Sequence, residues 1–296
     1  MPRARATDRV ASFWRKLTNG GRPESVPERI REAVAVRLKL GLHRLGVPIE
    51  LQPRVYSPAD TKIIAAVRPY TMTSADRIVA LCDAIRYISR NRIDGAIVEC
   101  GVWRGGSMMA AAMTLVETGD SGRELYLYDT YEGMTPAGPL DIDFRGRTGA
   151  GLMSYHGGEA ARAPLDDVKE NLARTGYPAE RCHFVVGKVE ETIPNVAPKR
   201  IALLRLDTDW YESTKHEIDH LFPLLAPRGV LILDDYGAWE GARRAVDDYF
   251  EALPFSPLLH RIDFTGRICV LPDSAVDEPI TEASSDSEAL GLGGGS

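Results

Sequence analysis

The sequence predicts an α/β fold built on a mostly parallel sheet with helices on both faces. Two observations carry this expectation. Between residues 96 and 271, short continuous apolar runs alternate with stretches of helical periodicity, the pattern of strands buried on both faces. Five of those runs also end in polar residues or glycine. The carboxyl ends of successive strands therefore deliver chemistry to one rim, where open sheets of this kind bind ligands. A chain of 296 residues, 44% hydrophobic and 26% charged, can bury one large core or two small ones. Its composition is neither collagen-like nor that of a wholly disordered chain.

Residues 1–25 are polar and broken by Gly20, Gly21 and Pro23. From Pro27, Ile30, Val34, Leu38 and Leu42 recur at helical spacing and predict an amphipathic helix. Val47 to Pro58 reads as a linker. Residues 1–60 thus form a basic, partly helical arm ahead of a main domain at 61–272. Ser74 is the N-cap of a helix whose Ile78, Leu81, Cys82, Ile85 and Ile88 share one face. Strands follow at Ala96–Cys100, Glu124–Tyr128, Cys182–Val186, Ile201–Leu206 and Val230–Leu233, with two more near Leu258–Ile262 and Arg267–Leu271. Helices are predicted at Ser107–Glu117, Leu165–Arg174, Ser213–Leu225 and Ala242–Ala252. The connection Glu132–Arg162 holds 7 Gly and 2 Pro. Connections of this length are uncommon, and this one reads as a lid over the rim. The acidic, Ser- and Gly-rich segment 273–296 reads as a disordered tail with a linker-like end.

The formal charge of −6 is unevenly spread. Residues 1–45 carry 11 Lys and Arg against 4 acids, and residues 273–296 carry 6 acids and no base. The main body has no basic patch of the kind that binds nucleic acid. The basic N-terminus lacks an apolar core and does not read as a secretory signal, and no run approaches the ~18 apolar residues of a membrane span. The expectation is a cytoplasmic protein with neither a nucleic-acid nor a membrane partner. Cys82, Cys100, Cys182 and Cys269 form no CxxC pair, so neither a zinc knuckle nor a disulfide framework is suggested.

Three constellations carry chemistry. Glu99-Cys-Gly-Val-Trp-Arg-Gly-Gly-Ser107 joins a strand to a helix start through a glycine turn, without the GxGxxG of dinucleotide binders. There Glu99 can accept from an ammonium and Ser107 can bond a carboxylate, which suits the amino-acid end of S-adenosylmethionine. Asp129, at the next strand end, suits a ribose diol. The third constellation is Asp207-Thr-Asp209 with Asp234-Asp235: four carboxylates on neighbouring strand ends repel one another unless a cation sits among them. Hard oxygen donors favour Mg²⁺ or a similar ion, and a carboxylate that does not ligate can act as a base. Helix capping and pairing with arginines are the competing explanation for these acids. His216-Glu-Ile-Asp-His220 fits HExxH, but Ile218, Leu221 and Leu225 claim that helix for packing, and no third ligand follows nearby.

Together VRPYTMTS, VECGVWRGGSMM, LYDTYEGM, LRLDTDWYESTKHEIDHLFPLL, GVLILDDYG and GARRAVDDYF resemble the macrocin O-methyltransferase (TylF-like) family over roughly residues 60–272. The resemblance implies a Rossmann-like class I methyltransferase fold, with a seven-stranded sheet antiparallel near one end. It implies methylation of a sugar hydroxyl on a glycosylated natural product, dependent on S-adenosylmethionine and Mg²⁺. It puts metal ligands at Asp207, Asp234 and Asp235 and a general base at Asp209, with Asp207 the next candidate base. Cofactor contacts fall on Tyr70 and Thr71, on Glu99, Cys100, Gly101, Val102, Trp103 and Ser107, and on Asp129, Thr130, Tyr131, Glu132 and Gly133. They continue at Gly187, Lys188, Leu206 and Asp207. It also suggests a homo-oligomer, a dimer or higher. Acceptor recognition is expected in the arm and in the 132–162 loop. The same chelating arrangement would serve a catechol or phenol O-methyltransferase. A nicotinamide-dependent oxidoreductase and a non-catalytic binding module are further readings, opposed by the missing GxGxxG and by the intact acids.

Overall fold

The computed structural model describes residues 56–156 and 161–273. The expected helical arm and the tail from 274 lie outside the described residues. The described residues belong to one compact unit that starts at Tyr56. Helix α1 (Pro58–Val67) opens it, starting at the end of the expected linker and running into 61–67, where the sequence predicted no element. Its signal is a capping box: the Ser57 hydroxyl accepts from Asp60 N at 3.1 Å, and Asp60 accepts in return from the Ser57 backbone. Helix α2 (Ala75–Arg90) then leads to strand β1 (Ala96–Cys100) and α3 (Gly106–Thr118), and β2 (Leu125–Asp129) follows. The long connection carries its own helix, α4 (Gly149–His156), before α5 (Leu165–Ala173) and β3 (Cys182–Val186). A single turn, α6 (Val189–Thr192), precedes β4 (Ile201–Leu206), α7 (Tyr211–Leu221) and β5 (Leu225–Leu233). The described part closes with α8 (Glu240–Glu251), β6 (His260–Arg261) and β7 (Arg267–Val270).

The seven strands form one sheet in the order β3-β2-β1-β4-β5-β7-β6. The first five are mutually parallel, and β7 runs antiparallel to both of its neighbours. One core packs α1, α2, α3 and α5 on the sheet, with Val67, Ile85, Leu115 and Val168 against Ile97, Leu127 and Leu203. The other sits under α7 and α8, where Ile218, Leu221 and Val246 meet Val98, Leu204 and Leu231. Burial on both faces explains why these strands read as continuous apolar runs. Strand β5 begins five residues earlier than expected, because Leu225 pairs with Ile201 across a register shift. Pro227, Arg228 (φ +61°) and Gly229 mimic a turn in the sequence but lie within that irregular strand.

Residues 132–162, expected as a lid, are in their described part a folded cover fastened by buried carboxylates. Asp141 accepts from Gly138 N at 2.6 Å and from Tyr211 N at 2.8 Å, the latter at the start of α7. Asp143 accepts from Arg145 N and Arg147 N and bridges to Trp239, while Glu240 N donates to Ile142 O. No helix among the described residues is long and apolar enough to cross a membrane.

Backbone bonds run on past the strand ends and lock the rim. Asp207 N donates to Cys100 O, Asp234 N to Leu206 O, and Gly187 N to Asp129 O, at 2.9–3.0 Å. Gly101 (φ +82°) turns the chain where any Cβ would lie 1.9 Å from Asp207 O. Gly101→Ala therefore has to part the β1 and β4 ends. It is expected to cost about 2–4 kcal/mol, read as a lower Tm and an earlier urea midpoint.

Candidate active site

The site forms at the carboxyl ends of β1, β2, β3, β4 and β5. Two adjoining clefts occupy the rim, of about 740 and 650 Å³ including their open mouths. Gly101, Asp129, Thr130, Gly133, Gly187 and Lys188 line the first, closed on one side by Trp210 of the turn into α7. Tyr70, Thr71, Val102, Ser107, Asp234 and Asp235 line the second. Both share Met72, Trp103, Asp207 and Asp209. The residues expected around a cofactor therefore converge, but not all through their side chains. Cys100, Val102 and Leu206 are core residues. Tyr131 turns inward at φ +57°, and its hydroxyl donates to Leu127 O at 3.0 Å. Glu132 is exposed and Glu99 is buried behind the rim, and neither lines a cleft.

Asp129, expected opposite a ribose, also fastens the turns around it. One oxygen accepts from Val102 N at 2.7 Å and from Trp103 N at 3.0 Å, and the other from Tyr131 N at 2.7 Å.

The acids of the third constellation are organised by a residue that the sequence reading missed. The guanidinium of Arg205 is buried on β4, in register with Glu99 on β1. It donates to Glu99 Oε1 at 2.6 Å, to Asp207 Oδ2 at 2.7 Å and to Asp234 Oδ1 at 2.5 Å. Glu99 Oε2 is buried without a protein partner. Burial pushes the Glu99 carboxyl up to about 7 against the pull of Arg205. A second missed residue, Arg77 of α2, donates to Asp234 Oδ2, to Asp263 Oδ2 at 2.9 Å and to Thr265 Oγ1. The signal for Arg205 was visible: it is the one charged side chain in the apolar run Ile201–Leu206, and such a group survives burial only when paired. Nothing local distinguished Arg77.

Arginine pairing, the competing explanation for the acids, is thus present but incomplete. Oxygens of Asp207, Asp234 and Asp235 lie within 4.8 Å of one another, an all-oxygen donor set able to hold a hard divalent cation. Beside them Asp209 sits at φ +66°, with its Oδ1 accepting from Trp239 Nε1 at 2.7 Å and its N–H donating to Asp235 Oδ2 at 3.3 Å. Burial first, then the neighbouring Asp207, push the Asp209 carboxyl up to about 7. Burial and the charges of Asp209 and Asp234 raise Asp235 as well. His216 and His220 of the HExxH match instead bond backbone carbonyls, those of Ile193 at 2.9 Å and His216 at 2.8 Å.

The pattern of the macrocin-O-methyltransferase (TylF) family matches residues 59–269, most of the chain. The chain belongs to this family. It is 33% identical over 215 residues to the 8-demethyl-8-(2,3-dimethoxy-alpha-L-rhamnosyl)-tetracenomycin-C 4'-O-methyltransferase of Streptomyces olivaceus, covering 70% of this chain and 79% of that one. It is 28% identical to the mycinamicin III 3''-O-methyltransferase of Micromonospora griseorubida, over 67% of this chain and 76% of that one. Among solved structures it resembles the O-methyltransferase NovP at a TM-score of 0.61 and 25% identity, over 69% and 82% of the two chains. The calicheamicin methyltransferase CalS11, at TM-score 0.50 and 17% identity over 75% and 98%, shares the fold. The family makes this chain an O-methyltransferase, on a class I methyltransferase sheet.

Two outcomes test this electrostatic frame. Arg205→Met strands buried charge and is expected to cost about 3–5 kcal/mol in chemical unfolding, partly regained when Asp234→Asn is added. Asp263 is held at about 2: burial opposes this, but the Gly266 N–H, Ser74 and Arg77 prevail. Its contribution is present above the ordinary carboxylate range and is lost as pH falls through about 2. Asp263→Asn should therefore cost about 1–3 kcal/mol at pH 7, and the gap from wild type should narrow between pH 4 and pH 2.

Proposed function

We propose that this chain methylates a sugar hydroxyl of a glycosylated small molecule, with S-adenosylmethionine as methyl donor and Mg²⁺ or a similar cation held by Asp207, Asp234 and Asp235. The observation that carries the reading is the convergence of those three carboxylates beside Asp209, at the rim of a family member whose named relatives methylate glycosylated antibiotics. The donor set fits the ion: Glu99, Asp207, Asp234 and Asp263 share the two guanidiniums, while Asp209 and Asp235 have no arginine partner among the described residues, so carboxyl oxygens are left for a cation. When bound, the cation supplies Lewis acidity that lowers the pKa of the reacting hydroxyl.

The chain's own groups do the rest. The buried, unpartnered Glu99 Oε2 is an acceptor suited to the donor's ammonium, and Ser107 at the start of α3 suits its carboxylate. Asp129 keeps acceptor capacity toward a ribose, and Gly187 and Lys188 wall the same cleft. Transfer moves a methyl from sulfur to oxygen and releases one proton. Asp209 takes that proton, and the Trp239 Nε1–H on Oδ1 keeps its carboxylate aimed at the shared part of the two clefts. No covalent enzyme intermediate is needed, so alignment of the two reactants supplies much of the acceleration. The folded cover over residues 132–156 limits water at the rim.

The test is transfer of label from S-adenosylmethionine to a panel of rhamnosides and catechols, with Mg²⁺ or with chelator. Label on a glycoside only with metal is the expected result. Label on catechols alone assigns the acceptor to that class, and transfer undiminished by chelator removes the metal from the scheme. Asp234→Asn should abolish metal-stimulated turnover while calorimetry shows S-adenosylhomocysteine still bound. Asp209→Asn should lower kcat by roughly 10²–10⁴ with metal affinity kept; unchanged turnover moves the base to Asp207.

A further inference from the structure

Among the described residues, Phe144 and Phe264 are exposed by 50% and 55% and touch each other edge to face, with ring centroids 4.9 Å apart. They come from separate segments, the connection after β2 and the β6–β7 turn. Each segment is fastened to the acid cluster. Phe144 follows Asp143, which bridges to Trp239, and Trp239 holds Asp209. Phe264 stands between Asp263 and Thr265, both of which grip Arg77, and Arg77 holds Asp234. The sheet order places the β6–β7 turn beyond β5, on the opposite side of the acids from Asp129 and Gly187. The aromatic pair therefore borders the acid cluster on the side away from the first cleft.

Two cations complete the patch. Arg145 lies over the Phe144 ring at 5.1 Å, and Arg261 over the Phe264 ring at 5.9 Å. Neither has a carboxylate partner among the described residues, whereas the adjacent Arg147 is paired with Asp143 at 2.7 Å. Arg261 Nε donates to the Asp263 carbonyl at 2.7 Å, and guanidiniums without a carboxylate partner beside an exposed aromatic pair favour a negatively charged ligand. The segment 1–45 carries 11 Lys and Arg against 4 acids, the wrong sign of charge to complement such a patch. A symmetric dimer centred here would set the same arginines against each other.

We propose that Phe144, Phe264, Arg145 and Arg261 form the docking platform for the part of the acceptor beyond the methylated sugar, and that this part is aromatic and negatively charged. The proposal rests on the reading of the adjoining acids as the transfer site. An acidic phenolic aglycone and a nucleoside diphosphate share the required chemistry, and the probes separate them.

The test compares methyl rhamnoside, 4-nitrophenyl rhamnoside, 4-carboxyphenyl rhamnoside and thymidine-diphosphate-rhamnose as acceptors, by KM and kcat with labelled S-adenosylmethionine. Wild type should prefer an anionic aromatic acceptor over methyl rhamnoside by about ten-fold or more in kcat/KM, mostly through KM. In the Phe144→Ala/Phe264→Ala double variant that preference should collapse toward one. In Arg145→Gln/Arg261→Gln, the preference for charged over neutral aromatic acceptors and its salt dependence should go. Calorimetric titration of the same four probes into protein loaded with Mg²⁺ and S-adenosylhomocysteine reads binding without turnover. Affinity lost in the variants while no probe is methylated keeps the platform and overturns the reaction reading. Methylation with preferences unchanged in both double variants, or no preference in wild type, overturns the platform. A dimer that dissociates in the phenylalanine variant, with KM unchanged, assigns the patch to a second copy and likewise overturns it.

Discussion

The buried guanidinium of Arg205 is the constraint on which the rest of the rim depends. It lies on an apolar strand at the centre of the sheet, where a lone charge would be intolerable. It is tolerated because Glu99, Asp207 and Asp234 converge on it, and those acids are tolerated together because it is there. Three parallel strands are thereby tied at their ends by charge as well as by backbone. Replacing such a hub with apolar groups of similar volume can preserve a fold, but removing one member leaves the others exposed to their own repulsion. Arg77 extends the arrangement to α2 and to the β6–β7 turn. What remains after this pairing is a set of carboxyl oxygens of Asp207, Asp234 and Asp235 within 4.8 Å of one another.

The geometry of the rim is held by strain as well as by charge. Trp103, Tyr131 and Asp209 have positive φ angles, and they lie in the turns after β1, β2 and β4. Each costs backbone energy that the surrounding bonds offset: Asp129 accepts from Trp103 N and Tyr131 N, and Asp235 accepts from Asp209 N. The same carboxylates that suit ligand binding thus also hold the turns that shape the clefts. This double use explains why a strand-end Asp has protein donors in a site proposed to take a ligand.

Much of this was legible in the sequence, and the exceptions have physical reasons. Parallel strands buried on both faces leave long apolar runs, so Ala96–Cys100 and Ile201–Leu206 stand where the periodicity put them. The meeting of Asp207, Asp234 and Asp235 also followed from strand ends alone. Strand β5 was clipped because a bulge at Arg228 looks locally like a turn. Helix α1 was missed because its apolar face is short, although its capping box was written in Ser57 and Asp60. The roles of Arg77, Trp239 and Asp263 were invisible because each depends on a partner more than 25 residues away, which local pattern does not encode. For Tyr131 the chain turn, not the residue type, decided that the ring faces the core.

The one antiparallel strand has a consequence of its own. Because β7 reverses direction, the chain reaches the rim beside β5 as a hairpin turn, whereas every strand on the other side arrives as a strand end leading into a loop or helix. A strand end that is hydrogen-bonded to its neighbours and joined to a buried ion cluster has little freedom to vary. This turn is pinned as well, because Asp263 accepts from Ser74 and Arg77 and Thr265 O accepts from Gly237 N, but the Phe264 side chain between them stands exposed. The rim is therefore divided between buried, hydrogen-bonded groups that resist mutation and exposed side chains such as Phe264 that can absorb it. In a family whose members modify different partner molecules, that division would let new selectivities arise without disturbing the chemistry they share.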